Sequence, residues 1–248
     1  SVLQFSTLTH SMANASSSVV KPVIVRKYAQ QDLAGLVRLA SQAVKLLGLA
    51  LALPVGLLCG FSRPLLTTWL GPSFQDLDVL LVLLIAHLGV NLSVLPLAYV
   101  QTAYNRVRWP GIATFISGAA NLGLAILLAR WGGWGAAGVA AAGAVVWSLK
   151  NVAFVPIYTA KIIGRPWWSF LPSVSGGLFG TLSVGAIAYG LTQVRMPDSW
   201  FALAAAAAVV SLLYLVAVLT LGLGPADRTL LKTLLPQLRS PSAGGQDA

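Results

Sequence analysis

The chain has 248 residues, of which 57% are hydrophobic and only 9% charged, with a mean hydropathy of +0.80. Soluble domains carry about 25% charged residues, so this composition excludes a water-soluble globular domain and implies a membrane protein. The 16 Lys and Arg face six acidic residues, all Asp, for a net charge of +10; such a surplus points to nucleic acid only in a soluble protein, and here it has to be read by position.

The single cysteine, Cys59, lies in an apolar run, which excludes an intrachain disulfide. Neither a metal site nor a cofactor is expected. The first residue is Ser1, with no basic-then-apolar leader ahead of the first span, and a fragment of a longer chain is expected.

A membrane helix needs about 20 mostly apolar residues, and on that measure the sequence predicts an all-α, polytopic transmembrane helix bundle of about seven spans. In chain order these are residues 2–20, 41–61, 77–101, 111–128, 136–158, 170–191 and 200–223, together forming one transmembrane unit over 1–223. The first is more polar than the rest. Between it and the second, residues 28–46 place Leu33, Leu36, Val37 and Val44 at helical spacing opposite polar residues, the pattern of a linker helix lying in the interface. Residues 224–248 read as a cytoplasmic tail, one or two short amphipathic turns and then "PSAGGQDA", a disordered composition.

Lys and Arg accumulate in the cytoplasmic loops of membrane proteins. If the chain starts outside, the inner segments hold Lys21, Arg26, Lys27, Arg38, Lys45, Arg106, Arg108, Lys161, Arg165, Arg228, Lys232 and Arg239, twelve in all, and the outer ones only Arg63, Arg130 and Arg195. Losing one span would mix the two groups. Most of the charge is therefore topology. Seven of the tryptophans, among them Trp69, Trp109, Trp134 and Trp200, fall near span ends, where aromatic belts sit.

One formal charge is left deep within the hydrocarbon. Lys150 lies 14 residues beyond Ala136, roughly 21 Å along the helix, in the cytoplasmic third of the membrane. A lysine at mid-membrane costs about 2.5–3.5 kcal/mol on insertion scales. Either it snorkels to the interface or bonds a neighbouring helix, or it faces a watery cavity and meets an anion; Asn151 beside it projects about 100° away on an ideal helix and need not share its face. In the first span Gln4, Thr7, His10, Asn14 and Ser17 or Ser18 form a polar stripe ending at Lys21, which either packs helices through polar groups or walls a cavity. His87 and Asn91 form an i, i+4 pair in the third span, with Pro96 and Gln101 beyond, and Ser117 and Asn121 repeat that spacing in the fourth. A lone histidine is more often structural than a ligand. Prolines 54, 96, 156 and 172 and recurrent glycines permit kinks and close helix approach, as in transporters and in many static bundles.

All six aspartates, 32, 76, 78, 198, 227 and 247, lie in loops or tails. A membrane enzyme of glycolipid assembly needs carboxylates to hold a metal or act as base, and Asp76 with Asp78 is the sole nearby pair; such residues are ordinarily loop charges. A cation-coupled exporter needs an intramembrane acid. What remains is a cationic and polar interior, which prefers an anion, and no enzyme activity is expected.

Three ordered stretches, covering roughly residues 18–150, resemble the polysaccharide and oligosaccharide flippases of the multidrug/oligosaccharidyl-lipid/polysaccharide exporter superfamily. They are "VVKPVIVRKYAQQDLAGLVRLASQAVKLLGLALALPVGLL"; "SRPLLTTWLGPSFQ", through Pro64, Leu65, Leu66, Gly71 and Phe74; and "RWGGWGAAGVAAAGAVVWSLKN", through Gly133, Gly135, Ala136, Ala137 and Ala140. The resemblance implies two helical lobes around a central cavity, with the seven spans here as the C-terminal lobe and the N-terminal lobe missing, so this chain alone is not expected to transport. It further implies a bacterial inner-membrane protein, C-terminus cytoplasmic, that flips an undecaprenyl-pyrophosphate-linked oligosaccharide by alternating access, in contact with membrane lipids and with no nucleic acid partner. On that reading Lys150 attracts the anion, and His10, Asn14, His87, Asn91 and Asn121 form the polar lining. Multidrug exporters of the same superfamily and membrane-embedded glycolipid enzymes are the alternatives.

Overall fold

The computed structural model describes residues 20–224 and Asp227, so the first predicted span, with His10 and Asn14, and nearly all of the tail lie outside the described residues. Within them the chain is entirely helical apart from turns: α1 (20–29), α2 (Leu33–Gly60), α3 (Ser62–Leu70), a 3-10 turn (Pro72–Leu77), α4 (Asp78–Ile85), α5 (Leu88–Ser93), α6 (Leu95–Ala103), α7 (Arg108–Ile126), α8 (Gly135–Leu149), α9 (Val155–Ile162), α10 (Leu171–Val194) and α11 (Trp200–Ala217). Six helices are long and apolar enough to cross a membrane, namely Leu33–Gly60, Pro72–Ser93, Arg108–Trp131, Gly135–Ile162, Leu171–Val194 and Trp200–Gly222, and they match the second to seventh predicted spans.

The linker helix expected to lie in the interface is instead the first half of α2. Asp32 caps it by accepting the Gly35 N–H at 2.8 Å while pairing with Lys27 at 2.6 Å. Leu36, Ala40, Ala43 and Val44 are then buried in one cluster with Leu97 and Val100 of α6 and with Phe170 and Val174. An apolar face read from sequence has no stated partner; here protein covers Leu36 and Val44 of it, while Leu33 stays exposed.

α2 and α10 form the most extensive helix pair, made possible by missing side chains. A Cβ added at Gly177 would lie 2.7 Å from the Gly48 Cα, and one at Gly60 2.4 Å from the Ala188 Cβ. Contact moves from Gly48–Gly177 through Gly56–Val184 to Gly60–Ala188, so the helices run parallel. A parallel pair requires an odd number of crossings between its members, and three candidate spans lie there. Tyr214 of α11 ties on by donating to the Leu49 carbonyl at 2.8 Å.

The third span is broken. The helix interrupts at Ala86–His87 and again at Val94, just before Pro96, giving α4, α5 and α6 in place of one rod. The backbone at Ala86, His87 and Val94 stays in the right-handed region, so these are kinks in the hydrogen-bond ladder rather than unwound segments, and α5 is mostly buried against α2 and α10.

By contrast α7 is peripheral; Ala125 is its one buried residue. It meets α8 closely at one end, where a Cβ at Gly138 would be 2.7 Å from the Ala129 N, beside the turn in which Gly133 and Gly135 adopt φ of +70° and +51°. At Gly143 the nearest atom to such a Cβ is Asn121 Oδ1 at 3.9 Å. Toward the end carrying Arg106, Arg108, Lys161 and Arg165, α9 is tied back to the start of α7 by the Tyr158 hydroxyl, which donates to the Arg106 carbonyl at 3.4 Å.

Candidate functional site

Three of the sequence-predicted residues come together. Lys150, His87 and Asn91 line one cavity of about 620 Å³ between the broken span, the first turns of α7 and the α8–α9 helix, together with Gln101, Thr114, Trp147 and Asn151. Its size is that of a small-molecule site. Asn121 lies elsewhere, on the α7 face toward Gly143, and lines no part of this cavity.

Lys150 opens a π turn, Lys150–Phe154, in which the Val155 N–H bonds the Lys150 carbonyl five residues back. The cause is local: Pro156 has no N–H to give, and its ring clashes with the carbonyl four residues earlier, that of Val152, so the chain widens one turn ahead of it. Asn151 lines the cavity as well as Lys150, a convergence that ideal 100° steps did not foresee. The Lys150 ammonium rests 5.0 Å from the Trp147 ring centroid, within cation–π range. Among the described residues the two ion pairs, Lys27–Asp32 and Lys45–Asp227, do not include it.

Facing it, the His87 ring sits at the helix break with Nδ1 3.1 Å from the Leu83 carbonyl; a carbonyl only accepts, so Nδ1 carries the proton. Asn91 Oδ1 is closed off from solvent with no hydrogen-bond partner. Gln101 closes the basic end: its Nε2 donates to Thr159 Oγ1 at 2.9 Å, and Thr159 donates to the Val155 carbonyl at 2.7 Å, locking α6 to α9. Gln101 is only 3% exposed. Gln101→Ala should therefore cost about 1–3 kcal/mol by leaving buried groups unpaired, read as a lower unfolding midpoint in detergent; an unchanged midpoint would show the network contributes nothing.

The sequence reading passed over Trp147, whose i, i+3 spacing to Lys150 was the available signal, and Thr114, for which there was none. Asp76 is exposed, Asp78 accepts the Val79 N–H at 2.7 Å, and neither lines the cavity.

The other face of the same helices is different. There α7 and α8–α9 enclose a groove of about 730 Å³ whose lining is apolar except for Ser117, Tyr158, Lys150 and Lys161.

The apolar helices and their lipid-type exposed faces define a polytopic α-helical membrane protein. The chain is 37% identical over 215 residues to "Uncharacterized membrane protein EpsK" of Bacillus subtilis (strain 168), a match that covers 87% of this chain and 43% of that protein. The chain thus spans less than half the length of this relative. No protein-family model matches, and no solved structure is similar.

Proposed function

We propose that the chain is the C-terminal lobe of a transporter, not an enzyme, that moves an anionic lipid-linked oligosaccharide across a bacterial inner membrane, with its basic end and tail in the cytoplasm. The observation carrying this is the convergence of an intramembrane cation, outside both ion pairs among the described residues, with His87, Asn91, Asn151 and Gln101 on one cavity beside a broken span. Polar groups at membrane depth are costly, and discontinuous helices near the midplane are where transporters place substrates. The cation matches a phosphate or pyrophosphate, and the amides and imidazole match sugar hydroxyls. The lobe is completed by the rest of a longer chain, as the partial coverage of the relative supports. Transport follows only if the ligand binds the inward-open and outward-open states with different affinities.

The test is to express the full-length chain in bacteria lacking their own polysaccharide flippase and to measure surface polysaccharide. Restoration supports the reading; a chain present in the membrane that restores nothing, for any lipid-linked glycan offered, sinks it.

A further inference from the structure

Seven of the eight tryptophans fall near span ends, and Trp147 is the exception. It stands twelve residues after Gly135 and fifteen before Ile162 in the helix Gly135–Ile162, about 18 Å and 22 Å from the two ends, so an aromatic belt at the membrane surface does not account for it. Lys150, one turn further on, touches both the polar cavity and the apolar groove, whereas Trp147 lines the cavity and not the groove. The ammonium lies 5.0 Å from the Trp147 ring centroid, on the side that the ring occupies. We infer that Trp147 is the positioning residue of the site: its ring holds the Lys150 ammonium at the cavity, turned toward the membrane interior, with its charge left for an anionic ligand.

This rests on the transport reading and names the group that sets its cation. Two directions are open to a lysine at this depth. Snorkelling would carry the ammonium toward the end with Lys161 and Arg165, past Phe154 and Tyr158. The observed contact is instead with a residue three positions earlier, about 4.5 Å toward the opposite end, the direction in which helical side chains lean. The indole leans the same way, over the turn before it: its Cδ1 is 4.0 Å from where a Cβ of Gly143 would stand, on the side of Asn121 Oδ1 at 3.9 Å. An aromatic partner also differs from an acidic one in what it leaves behind. A carboxylate would neutralise the lysine, and among the described residues no acidic side chain lines the cavity. A ring attracts the cation through its quadrupole but carries no net charge, so the cavity stays positive. A partly desolvated ammonium held in this way gains most from a charged headgroup and little from an uncharged one.

The experiment uses the purified full-length chain carrying tryptophan or its monofluoro, difluoro and trifluoro forms at position 147, introduced by nonsense suppression. Fluorine leaves the shape of the ring almost unchanged and withdraws the electron density that attracts a cation. The probes are radiolabelled farnesyl diphosphate and farnesol, which share a lipid chain and differ in charge. Diphosphate binding is expected to weaken stepwise along the series, by about threefold to thirtyfold in total, the worth of one cation–π contact, while farnesol binding stays constant. Trp147→Phe should keep most of the affinity, and Trp147→Leu should lose as much as the trifluoro form. In a Lys150→Ala chain the series should be flat, as a double-mutant cycle on a directly coupled pair requires. A flat series with Lys150 in place, or an equal fall for farnesol, overturns the proposal and makes Trp147 a packing residue. A rise in diphosphate affinity overturns it too, because the ring would then compete with the anion. The fluorinated chains differ from the parent by a few atoms, so a misfolded leucine variant does not decide the result. Restored polysaccharide with a flat series retires the role of Trp147 alone. A graded series without restoration retires the transport reading and leaves an anion site built by ring and lysine.

Discussion

Lys150→Ala in the full-length chain is expected to lower polysaccharide export about tenfold to hundredfold, the worth of one hydrogen bond to a charged group, while Lys150→Arg keeps most of it. The accompanying change in abundance separates a packing role from a binding one. A lysine at membrane depth opposes insertion by about 2.5–3.5 kcal/mol, and Lys150 recovers part of this from the Trp147 ring at 5.0 Å rather than from a carboxylate. If its role were packing, Ala would leave a cavity and abundance would fall. If its role is to meet an anion, Ala removes an insertion cost, so abundance holds or rises while export falls. Arg preserves charge and gains bidentate phosphate contacts. Immunoblots of membranes beside surface-polysaccharide assays separate the cases; full export by the Ala variant removes Lys150 from the site.

The second large effect is on folding. Gly177→Val is expected to strip the protein from the membrane fraction or lower its unfolding midpoint sharply. A Cβ there would stand 2.7 Å from the Gly48 Cα and 3.0 Å from the Gly48 carbonyl carbon, and backbone cannot swing aside as a side-chain tip can. The helices must part, and Gly56 and Gly60, in equally close contact with Val184 and Ala188 further along, lose their contacts together. Overpacking one well-packed position costs about 1–3 kcal/mol, and three linked contacts place this variant at or beyond the upper end. Gly118→Ala is the control: nothing lies within 4 Å of its Cβ position, and Gly to Ala in an open helix is neutral or stabilising by up to about 1 kcal/mol. Equal behaviour of the two variants would mean that α2–α10 packing does not limit stability.

The second to seventh crossings were legible in the sequence because crossing a bilayer is a one-dimensional demand: enough consecutive apolar residues satisfy it whatever the neighbours do. For the same reason Lys150 stood out, since a charge in such a run is conspicuous without any structure. His87 and Asn91, at i, i+4 spacing, line the same cavity. What Asn121 faces was not legible: its i, i+4 partner Ser117 lines the outer groove, while Asn121 turns toward Gly143 on the neighbouring helix.

Composition and spacing thus determined that this is a membrane protein, where it crosses, and which cation is out of place. Tertiary structure alone decided that residues 33–45 continue the second span, that the third span breaks at His87, and that Asn151 turns to the same cavity as Lys150. Those outcomes depend on contacts between residues far apart in sequence and on the steric demand of Pro156 upon the turn before it. Hydropathy registers the solvent each segment prefers; it carries no record of which helix closes against which, and a cavity is made of that difference.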